Sequence, residues 1–443
     1  MNNLRQGTQQ QRPLNRNDYK TLALSALGGT LEFYDFVIFL FFALPISHLF
    51  FPPDIPEWMA QLQTMAIFAA GYLARPLGGI VIAHFGDRLG RKKMFALSVF
   101  LMAAPTLIIG LLPTYAAIGI AAPLLLLLMR ILQGAAIGGE MPGAWVFVAE
   151  HLPRHHYGLG IGVLTSGITG GIFLGAIIAI VINRGYSPDE IHSFAWRIPF
   201  ILGGVFGLVA VYLRRFLSET PVFQELAEQR ARARELPLKT VIREHRQACL
   251  MTAGLTWALS TAVVVVILMT PAILQSVYNM PAQTALEANC IATLTLTAGC
   301  ILFGWLEDRL GTQNNLIISW GGLILTAYWF YSQLPTQSAL ELTLNYGLVG
   351  LFCGAIVTTP ISATRAFPPL IRYSGLSFAY NVSYAIFGGL TPVLTQFWLQ
   401  NDPMAPAHYV SLTALVAILL AFTPITTQGW RIKTQPQKHF QAP

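Results

Sequence analysis

Two short runs, half a chain apart, decide how this sequence folds. The first reads GDRLGRKK at residues 86–93, and its core DRLG returns at residues 308–311, an offset of 221 residues in a chain of 443. Each run follows a long apolar segment, and Gly78 in the first of these segments has a counterpart at Gly299 with the same offset. A motif repeated at half the chain length predicts two similar halves in tandem.

The composition around these runs is that of a membrane protein. Hydrophobic residues make up 54% of the chain and charged residues 11%, with a mean hydropathy of +0.56, whereas soluble domains carry about 25% charged residues. So many unbroken apolar stretches would aggregate in water, which excludes a soluble enzyme, a nucleic-acid binder and a disordered scaffold. The predicted spans are 22–47, 58–84, 93–113, 117–149, 157–183 and 195–217, then 248–277, 283–306, 314–334, 340–364, 374–400 and 406–427.

The positions of the basic residues predict the orientation. If both termini are cytoplasmic, the cytoplasmic segments hold 23 of the 27 Lys and Arg residues, as the positive-inside rule requires. The net charge of +7 therefore reflects topology and not a nucleic-acid partner. Of the other four basic residues, Arg184 and Arg197 lie near the outer face, whereas Arg75 and Arg130 lie inside predicted spans.

The first apolar segment and the cysteines predict an uncleaved N-terminus and no metal site, and the charge pattern divides the chain into five segments. Glu32 and Asp35 in the first apolar segment argue against a cleaved signal peptide, so the N-terminus is expected to be retained. The four cysteines lie in apolar segments without metal-binding spacing, and no metal site is expected. The predicted segments are a cytoplasmic tail (1–20), a six-helix half (21–217), a solvated helical linker that could alternatively bind lipid or a partner (218–247), a second six-helix half (248–427) and a cytoplasmic tail (428–443).

Several motifs resemble the major facilitator superfamily, in particular its metabolite:proton symporter branch, which includes carriers of 2-oxoglutarate, citrate, shikimate and proline or betaine. The resemblance covers residues 30 to about 392, although Phe33 stands where many members have Trp and a long C-terminal coiled coil is lacking. Besides the two DRLG runs, the matching pieces are LEFYDF at 31–36, ARPLGG at 74–79, RILQG at 130–134, GGE at 138–140, WRIPF at 196–200, FP at 367–368 and RYSG at 372–375, with Asn381, Gly388, Gly389 and Pro392.

The resemblance implies an all-α membrane protein with twelve transmembrane helices in two six-helix halves, working by alternating access. Both DRLG loops would then bridge the halves in one conformational state and release them in the other. The residues assigned to this gating role are Gly86, Asp87, Arg88, Gly90, Arg91, Asp308 and Arg309, together with Glu140 in the fourth span.

Charged residues inside the spans predict a coupling site, because a charge in hydrocarbon costs several kcal/mol unless it is paired or hydrated. Glu32 and Asp35 share one helix face, and by depth they could meet Arg130 near the midplane. We expect Glu32 or Asp35 to carry the coupling proton and Arg130 to compete with it, and the resemblance adds that this arginine motif is implicated in coupling. The alternative is a static ion pair between spans one and four.

A second set of residues predicts the substrate site. An arginine binds a carboxylate as a fork, which favours a carboxylate-bearing substrate, while Glu140 is expected to pair with Arg75, either as a structural contact or as a gate. The predicted substrate-binding residues are Tyr34, Arg75, Arg130, Trp257, Tyr380, Asn381 and Tyr384.

These expectations predict a secondary transporter that takes up a small organic metabolite, such as a di- or tricarboxylate, together with protons. No cofactor other than the proton, no catalytic constellation and no nucleic-acid partner are expected; the protein is expected to be a monomer in a bacterial inner membrane. The alternatives are a symporter of zwitterions such as proline or betaine, an uncoupled or export carrier, and a non-transporting membrane sensor.

Overall fold

The computed structural model describes residues 13–89, 91–214 and 237–428, and within these ranges all regular secondary structure is helical. The first half contains α1 (Arg16–Phe41), α2 (Glu57–Leu89), α3 (Arg91–Leu111), α4 (Ala121–His151), α5 (Tyr157–Gly185) and α6 (Arg197–Arg214). The second half contains α7 (Arg246–Thr261), α8 (282–310), α9 (312–333), α10 (Ala339–Cys353), α11 (Arg372–Leu399) and α12 (Ala405–Leu420).

Short helical segments extend or connect these twelve helices. Ala43–Phe50 continues α1, Pro188–Glu190 and a π-helical turn at Ile191–Ala195 precede α6, and Pro237–Glu244 precedes α7. A π-helix (Ala262–Met269) and then Thr270–Ser276 continue α7, while a 3₁₀ turn (Gly354–Val357) and Thr358–Ala366 continue α10. The remaining short segments are Tyr115–Ile118, Arg154–His156 and Pro424–Gln428.

The second DRLG run forms the turn between α8 and α9. Its glycine, Gly311, has φ 76° and ψ 166°, while the surrounding stretch Ala282–Gln333 is helical. A residue with a Cβ rarely adopts this conformation, so a glycine is favoured where the chain reverses between two helices. The structure thus gives a conformational reason for the last residue of the repeated motif.

The predicted twelve-helix architecture is confirmed. Seven helices within the described residues are long and apolar enough to span a membrane, and the bent pair Pro188–Ala195 and Arg197–Tyr212 makes an eighth. One of the seven, Gln283–Gln333, contains the turn at Gly311 and so makes two crossings. The shorter apolar helices Ala96–Leu111 and Ala405–Leu420, together with α11, complete the set.

The two halves pack their second and fourth helices in the same way. A Cβ on Gly78 of α2 would lie 2.0 Å from the carbonyl oxygen of Ala135 in α4, and a Cβ on its repeat counterpart Gly299 of α8 would lie 2.1 Å from that of Leu351 in α10. Backbones can approach this closely only where side chains are absent. The sequence repeat therefore corresponds to a repeated helix contact.

The halves meet most closely on the side that carries the ends of α2 and α8, which we call the loop side. One apolar cluster there runs from Trp145 and Ile161 in the first half to Phe303 and Leu376 in the second. A separate cluster at the opposite end, which includes Phe50 and Trp196, contains first-half residues alone. The predicted boundaries of the halves, linker and tails stay predictions, since residues 1–12, 215–236 and 429–443 lie outside the described residues.

Candidate functional site

Arg75 lies in an enclosure of tyrosines between the two halves. Its side chain is 2% exposed, and its guanidinium carbon lies 4.4 Å from the ring centroid of Tyr384 on α11. The rings of Tyr380 and Tyr72 lie at 5.7 and 5.6 Å, and Tyr72 stacks on Tyr384 with centroids 5.8 Å apart and an interplanar angle of 3°. The predicted substrate residues Arg75, Tyr380 and Tyr384 thus come together, with Arg75 contributed by α2.

The expected ion pair between Arg75 and Glu140 is wrong. Among the described residues, the polar contact of the guanidinium is a long one, from Nη2 to Sδ of Met141 at 3.6 Å, and Nε makes no hydrogen bond. Glu140 is 4% exposed and instead lines a cavity of about 10 Å³ with Phe33, Met141 and other first-half residues. Depth along the two helices suggested the pair, but depth does not determine the direction in which a side chain leaves its helix.

Asn381 joins this enclosure to the backbone of α4. Its Nδ2 donates to the carbonyl oxygen of Gly138 at 2.6 Å and to that of Ser377 at 2.9 Å, while Oδ1 accepts no hydrogen bond. The buried Tyr380 hydroxyl makes no close hydrogen bond to a described residue, its nearest charged neighbour is Arg75, and its ring meets Trp145 edge-on at 5.0 Å. Buried polar atoms are usually satisfied, so these two atoms are candidates for contact with a polar ligand.

Arg130 of α4 lies inside the first half, where first-half side chains surround its guanidinium. It is fully buried, its Nη1 donates to Oε1 of Gln133 at 2.7 Å, and its guanidinium carbon lies 4.6 Å from the ring centroids of Phe36 and Phe39. Nη1 also makes a long contact with the carbonyl oxygen of Phe36 at 3.5 Å, whereas Nε and Nη2 make no hydrogen bond to a described residue. A buried cation held by aromatic faces, one side-chain amide and one distant carbonyl is incompletely compensated.

The structure does not pair Asp35 with Arg130. Asp35 is fully buried, and neither carboxylate oxygen makes a close hydrogen bond among the described residues, although the Thr106 side chain is near enough to be a long-range donor. Oδ1 lies 2.5 Å from where a Cβ on Gly203 of α6 would be. The Cγ2 of Thr106 lies 3.0 Å from the same point. Gln133 donates to the Thr106 hydroxyl at 2.6 Å, so a chain of polar groups leads from Arg130 to the neighbourhood of Asp35.

Two predicted substrate residues lie away from the Arg75 enclosure. Tyr34 of α1 is fully buried against α6, where its hydroxyl donates to the carbonyl oxygen of Pro199 at 2.9 Å. Trp257 belongs to a group within the second half, where its Nε1 donates to the Tyr409 hydroxyl at 3.0 Å and its ring stacks on Phe387 at 4.9 Å. Glu32 belongs to α1, and its side chain lies outside the described residues.

The second DRLG run contacts the first half on the loop side. Asp308 accepts hydrogen bonds from the backbone N–H groups of Gly158 and Leu159, at 2.7 and 2.8 Å, where the positive end of the α5 dipole favours a carboxylate. Arg309 instead stacks on Trp305 of its own helix at 4.7 Å. Bridging through this run is thus carried by Asp308.

The first DRLG run is described in part. Gly86 allows Tyr373 of α11 to approach, since a Cβ on this glycine would lie 2.3 Å from the tyrosine ring. Gly90 lies outside the described residues. Asp87, Arg88 and Arg91 occupy helical positions, but their side chains lie outside the described residues, so their gating role stays a prediction.

Additional loop-side contacts between the halves were not anticipated from the sequence. Arg372 of α11 forms an ion pair with the buried Glu150 of α4 at 3.2 Å. Arg365 lies over the Tyr157 ring of α5 at 4.3 Å and also binds Glu307 of α8 at 2.5 Å. Glu150 and Glu307 resembled ordinary loop charges in the sequence because each lies near the end of a helix.

The tyrosine enclosure with its buried arginine, set between two six-helix halves that touch on one side, is the arrangement of a transport protein. The Major Facilitator Superfamily profile matches residues 26–392. The chain belongs to this superfamily and is a multi-pass membrane transporter of a small molecule, not an enzyme.

Curated relatives match nearly the whole chain. A putative proline/betaine transporter of Staphylococcus aureus is 33% identical over 421 residues, covering 94% of this chain and 90% of the relative. The proline/betaine transporter of Salmonella typhimurium is 30% identical, with 94% and 85% covered. The inner membrane metabolite transport protein YhjE of Escherichia coli is 31% identical, with 93% and 94% covered.

Solved structures agree on the fold. The proton:xylose symporter XylE superimposes with a TM-score of 0.76 at 17% identity, covering 91% of this chain and 94% of XylE. At this level of identity the likeness concerns the fold alone.

Proposed function

We propose that this protein is a proton-coupled symporter that takes up a small zwitterion bearing a carboxylate, of the proline or betaine kind. The observation that carries the proposal is Arg75, which is buried between the halves without an acidic partner among the described residues and is surrounded by tyrosine rings. A buried guanidinium of this kind is a ready partner for a substrate carboxylate, which it can bind through two parallel N–H donors.

The aromatic rings supply the complementary half of the site. Aromatic faces attract ammonium groups, and quaternary ammonium ligands are commonly recognised by cages of such rings. The guanidinium of Arg75 is surrounded by the rings of Tyr72, Tyr380 and Tyr384. A substrate carboxylate that draws the guanidinium aside would leave these rings facing the cationic end of the same substrate. The names of the Staphylococcus and Salmonella relatives support a substrate of this class.

Coupling is assigned to the charges in the first half. Asp35 is buried without a close hydrogen bond to any residue that the structure describes, and an ionised carboxylate is costly in such a place. In the proposed cycle Asp35 binds a proton from one side of the membrane and releases it when the Gln133 and Thr106 chain rearranges around Arg130. Glu32, four residues before Phe36 on α1, remains the second candidate for the proton carrier.

The orientation also belongs to the proposal. The predominance of basic residues in the segments between even- and odd-numbered helices and in the tails supports cytoplasmic termini and a bacterial inner membrane. The cytoplasmic side would then be the loop side. The pairing of Asp308 with the start of α5 would close that side while substrate enters from outside.

The test is uptake into vesicles that contain the purified protein. Labelled betaine, proline, 2-oxoglutarate, citrate and shikimate are compared with and without an acid-outside gradient. We expect the gradient to drive accumulation of a zwitterion, Arg75→Gln to abolish it, and Arg75→Lys to retain a fraction because the charge remains but the fork is lost. Arg184→Gln, which changes a 70%-exposed arginine, is the matched control.

The remaining outcomes separate the alternatives. Accumulation of a di- or tricarboxylate without zwitterion uptake would replace the proposed substrate class and keep the coupling. Zwitterion flux that ignores the pH gradient would indicate an uncoupled or export carrier, and binding without flux would indicate a sensor.

A further inference from the structure

Two histidines face each other on the end of the first half opposite the loop side. His48 lies on Ala43–Phe50, the continuation of α1, and His192 lies in the π-helical turn before α6. Nδ1 of His48 and Nε2 of His192 are 3.2 Å apart. The ring planes are inclined by 13°, and the ring centroids are 5.3 Å apart. Because the nitrogens are closer than the centroids, the rings meet through their nitrogen-bearing edges.

The other nitrogen of each ring is oriented by an acceptor. Nδ1 of His192 lies 2.7 Å from the carbonyl oxygen of Pro188, which can only accept, so this nitrogen carries the hydrogen. Nε2 of His48 faces the carboxylate of Glu57 at 3.7 Å, which favours a hydrogen there as well. If both rings are neutral, Nδ1 of His48 and Nε2 of His192 each present a lone pair to the space between them.

Facing imidazole lone pairs with this outer arrangement are characteristic of metal ligands. Zinc binds imidazole nitrogens at about 2.0–2.1 Å in tetrahedral geometry, which separates two such nitrogens by about 3.3 Å. Metal-binding histidines usually donate their other N–H to a carboxylate or a backbone carbonyl. Pro188 supplies the carbonyl for His192, and Glu57 supplies a carboxylate that lies 3.7 Å from His48, beyond hydrogen-bond distance but near enough to orient the ring electrostatically.

The surroundings leave room for the rest of a coordination shell. A surface hollow of about 280 Å³ adjoins the pair and is lined by Ser47, His48, Pro53 and Glu57, among others. The His48 side chain is 40% exposed and Glu57 66% exposed, so water can reach the facing nitrogens. The described residues contain no cluster of three or more His, Cys, Asp or Glu side chains suited to a metal, so water would fill the positions that the two imidazoles leave open.

We propose that His48 and His192 bind a transition-metal dication such as Zn²⁺ on this face, with Glu57 orienting His48 and water completing the coordination. The bound ion would join the outer end of α1 to the start of α6. This site is separate from the Arg75 enclosure, and its occupation does not depend on the proposed transport function.

The experiment is Zn²⁺ binding to the purified full-length chain without a histidine tag, measured by equilibrium dialysis. We expect one Zn²⁺ per chain, loss of this site in both His48→Gln and His192→Gln, and an affinity about 10- to 100-fold lower in Glu57→Gln. Binding should also weaken as the pH falls, since protons compete for the same lone pairs.

His408→Gln is the matched control. Both nitrogens of His408 are already engaged, Nδ1 by the Tyr328 hydroxyl at 2.7 Å and Nε2 by Asp402 at 3.1 Å, so its removal should leave Zn²⁺ binding unchanged. The proposal fails if the wild-type chain binds no Zn²⁺, which would mean that the two imidazoles simply share a proton. It also fails if His48→Gln and His192→Gln each still bind one Zn²⁺ per chain.

Discussion

The first helix of each half buries one polar side chain at the same place in the repeat, but with different chemistry. Asp35 on α1 and Thr256 on α7 are 221 residues apart, and both are fully buried without a close hydrogen bond to the described residues. One side chain can ionise and the other cannot. The repeat therefore preserves the position and burial of the group, while at this position the first half alone carries a group that can ionise.

The same asymmetry holds for the buried arginines. At the offset of 221, Arg75 corresponds to Leu296 and Arg130 to Leu351. The second half instead buries a neutral network around the π-helix Ala262–Met269, whose carbonyl groups need partners outside the regular helix pattern. Thr270 donates to the carbonyl oxygen of Val265, Tyr346 to that of Val266 and Asn289 to that of Ile267.

This contrast suggests a division of labour. Uncompensated charges respond to protons and to charged substrates, whereas a satisfied neutral network holds an irregular helix in one shape. We therefore expect substitutions in the first-half charges to alter coupling and substitutions in the second-half network to alter stability.

The largest effect is expected from Asp35→Asn. Under the proposed mechanism this change should lower gradient-driven accumulation by roughly tenfold or more, because the group that carries the proton is gone. Exchange of substrate across the membrane should persist, and thermal stability should not fall, since a buried charge without a partner is removed.

Thr256→Val is the matched control at the equivalent position, and we expect it to leave accumulation unchanged. If the two variants lose accumulation equally, the functional contrast between the halves is wrong. If Asp35→Asn accumulates substrate normally while Glu32→Gln does not, the proton carrier is Glu32.

The next largest effect concerns packing, which the halves share. Gly78→Ala and Gly299→Ala, at equivalent positions of the repeat, would each place a methyl group against a backbone carbonyl, and we expect each to destabilise by about 1–3 kcal/mol. The measurement is the melting temperature of the purified protein. Gly321→Ala in α9 is the control, since nothing lies within 4 Å of its Cβ position, and unequal losses at Gly78 and Gly299 would contradict a symmetric scaffold.

A smaller loss of stability is expected from Tyr346→Phe. The change removes the hydroxyl that donates to the Val266 carbonyl and accepts from Asn289, and a typical hydrogen bond contributes about 0.5–1.5 kcal/mol. The melting temperature should fall, while the ratio of gradient-driven to downhill uptake should stay the same. A change in that ratio would show that the neutral network takes part in coupling.

The fold could be predicted from the sequence because its signals are long and repeated. Twelve apolar segments and two DRLG runs determined the number of helices and the two halves, and most helix ends differ from the predicted spans by a few residues. The π-helix after α7 left no such signal, because its residues are uniformly apolar and the extra residue per turn depends on side chains of α8 and α10.

The site could be predicted in part. Arg75 and Arg130 could be identified because charges stand out in apolar segments. Their neighbours Tyr72 and Gln133 are three residues away on the same helix faces, so the i, i+3 rule could have identified them as well. Thr106 could not be found in this way. Its contact depends on how α3 is rotated about its axis, which the local sequence does not determine.

The smallest effect is expected at an ion pair that joins the halves on the side opposite the loop side. Arg184 and Glu287 lie 3.8 Å apart with side chains 70% and 56% exposed, and exposed pairs contribute about 0–1 kcal/mol. On the loop side, the pair of Arg372 with the fully buried Glu150 is shielded from water, so removing the arginine deprives a buried carboxylate of one of its contacts and costs more. We therefore expect Arg184→Gln to change the uptake rate less than about twofold and Arg372→Gln to change it substantially more. Equal effects of the two variants would mean that burial of the loop-side contact does not hold the halves together.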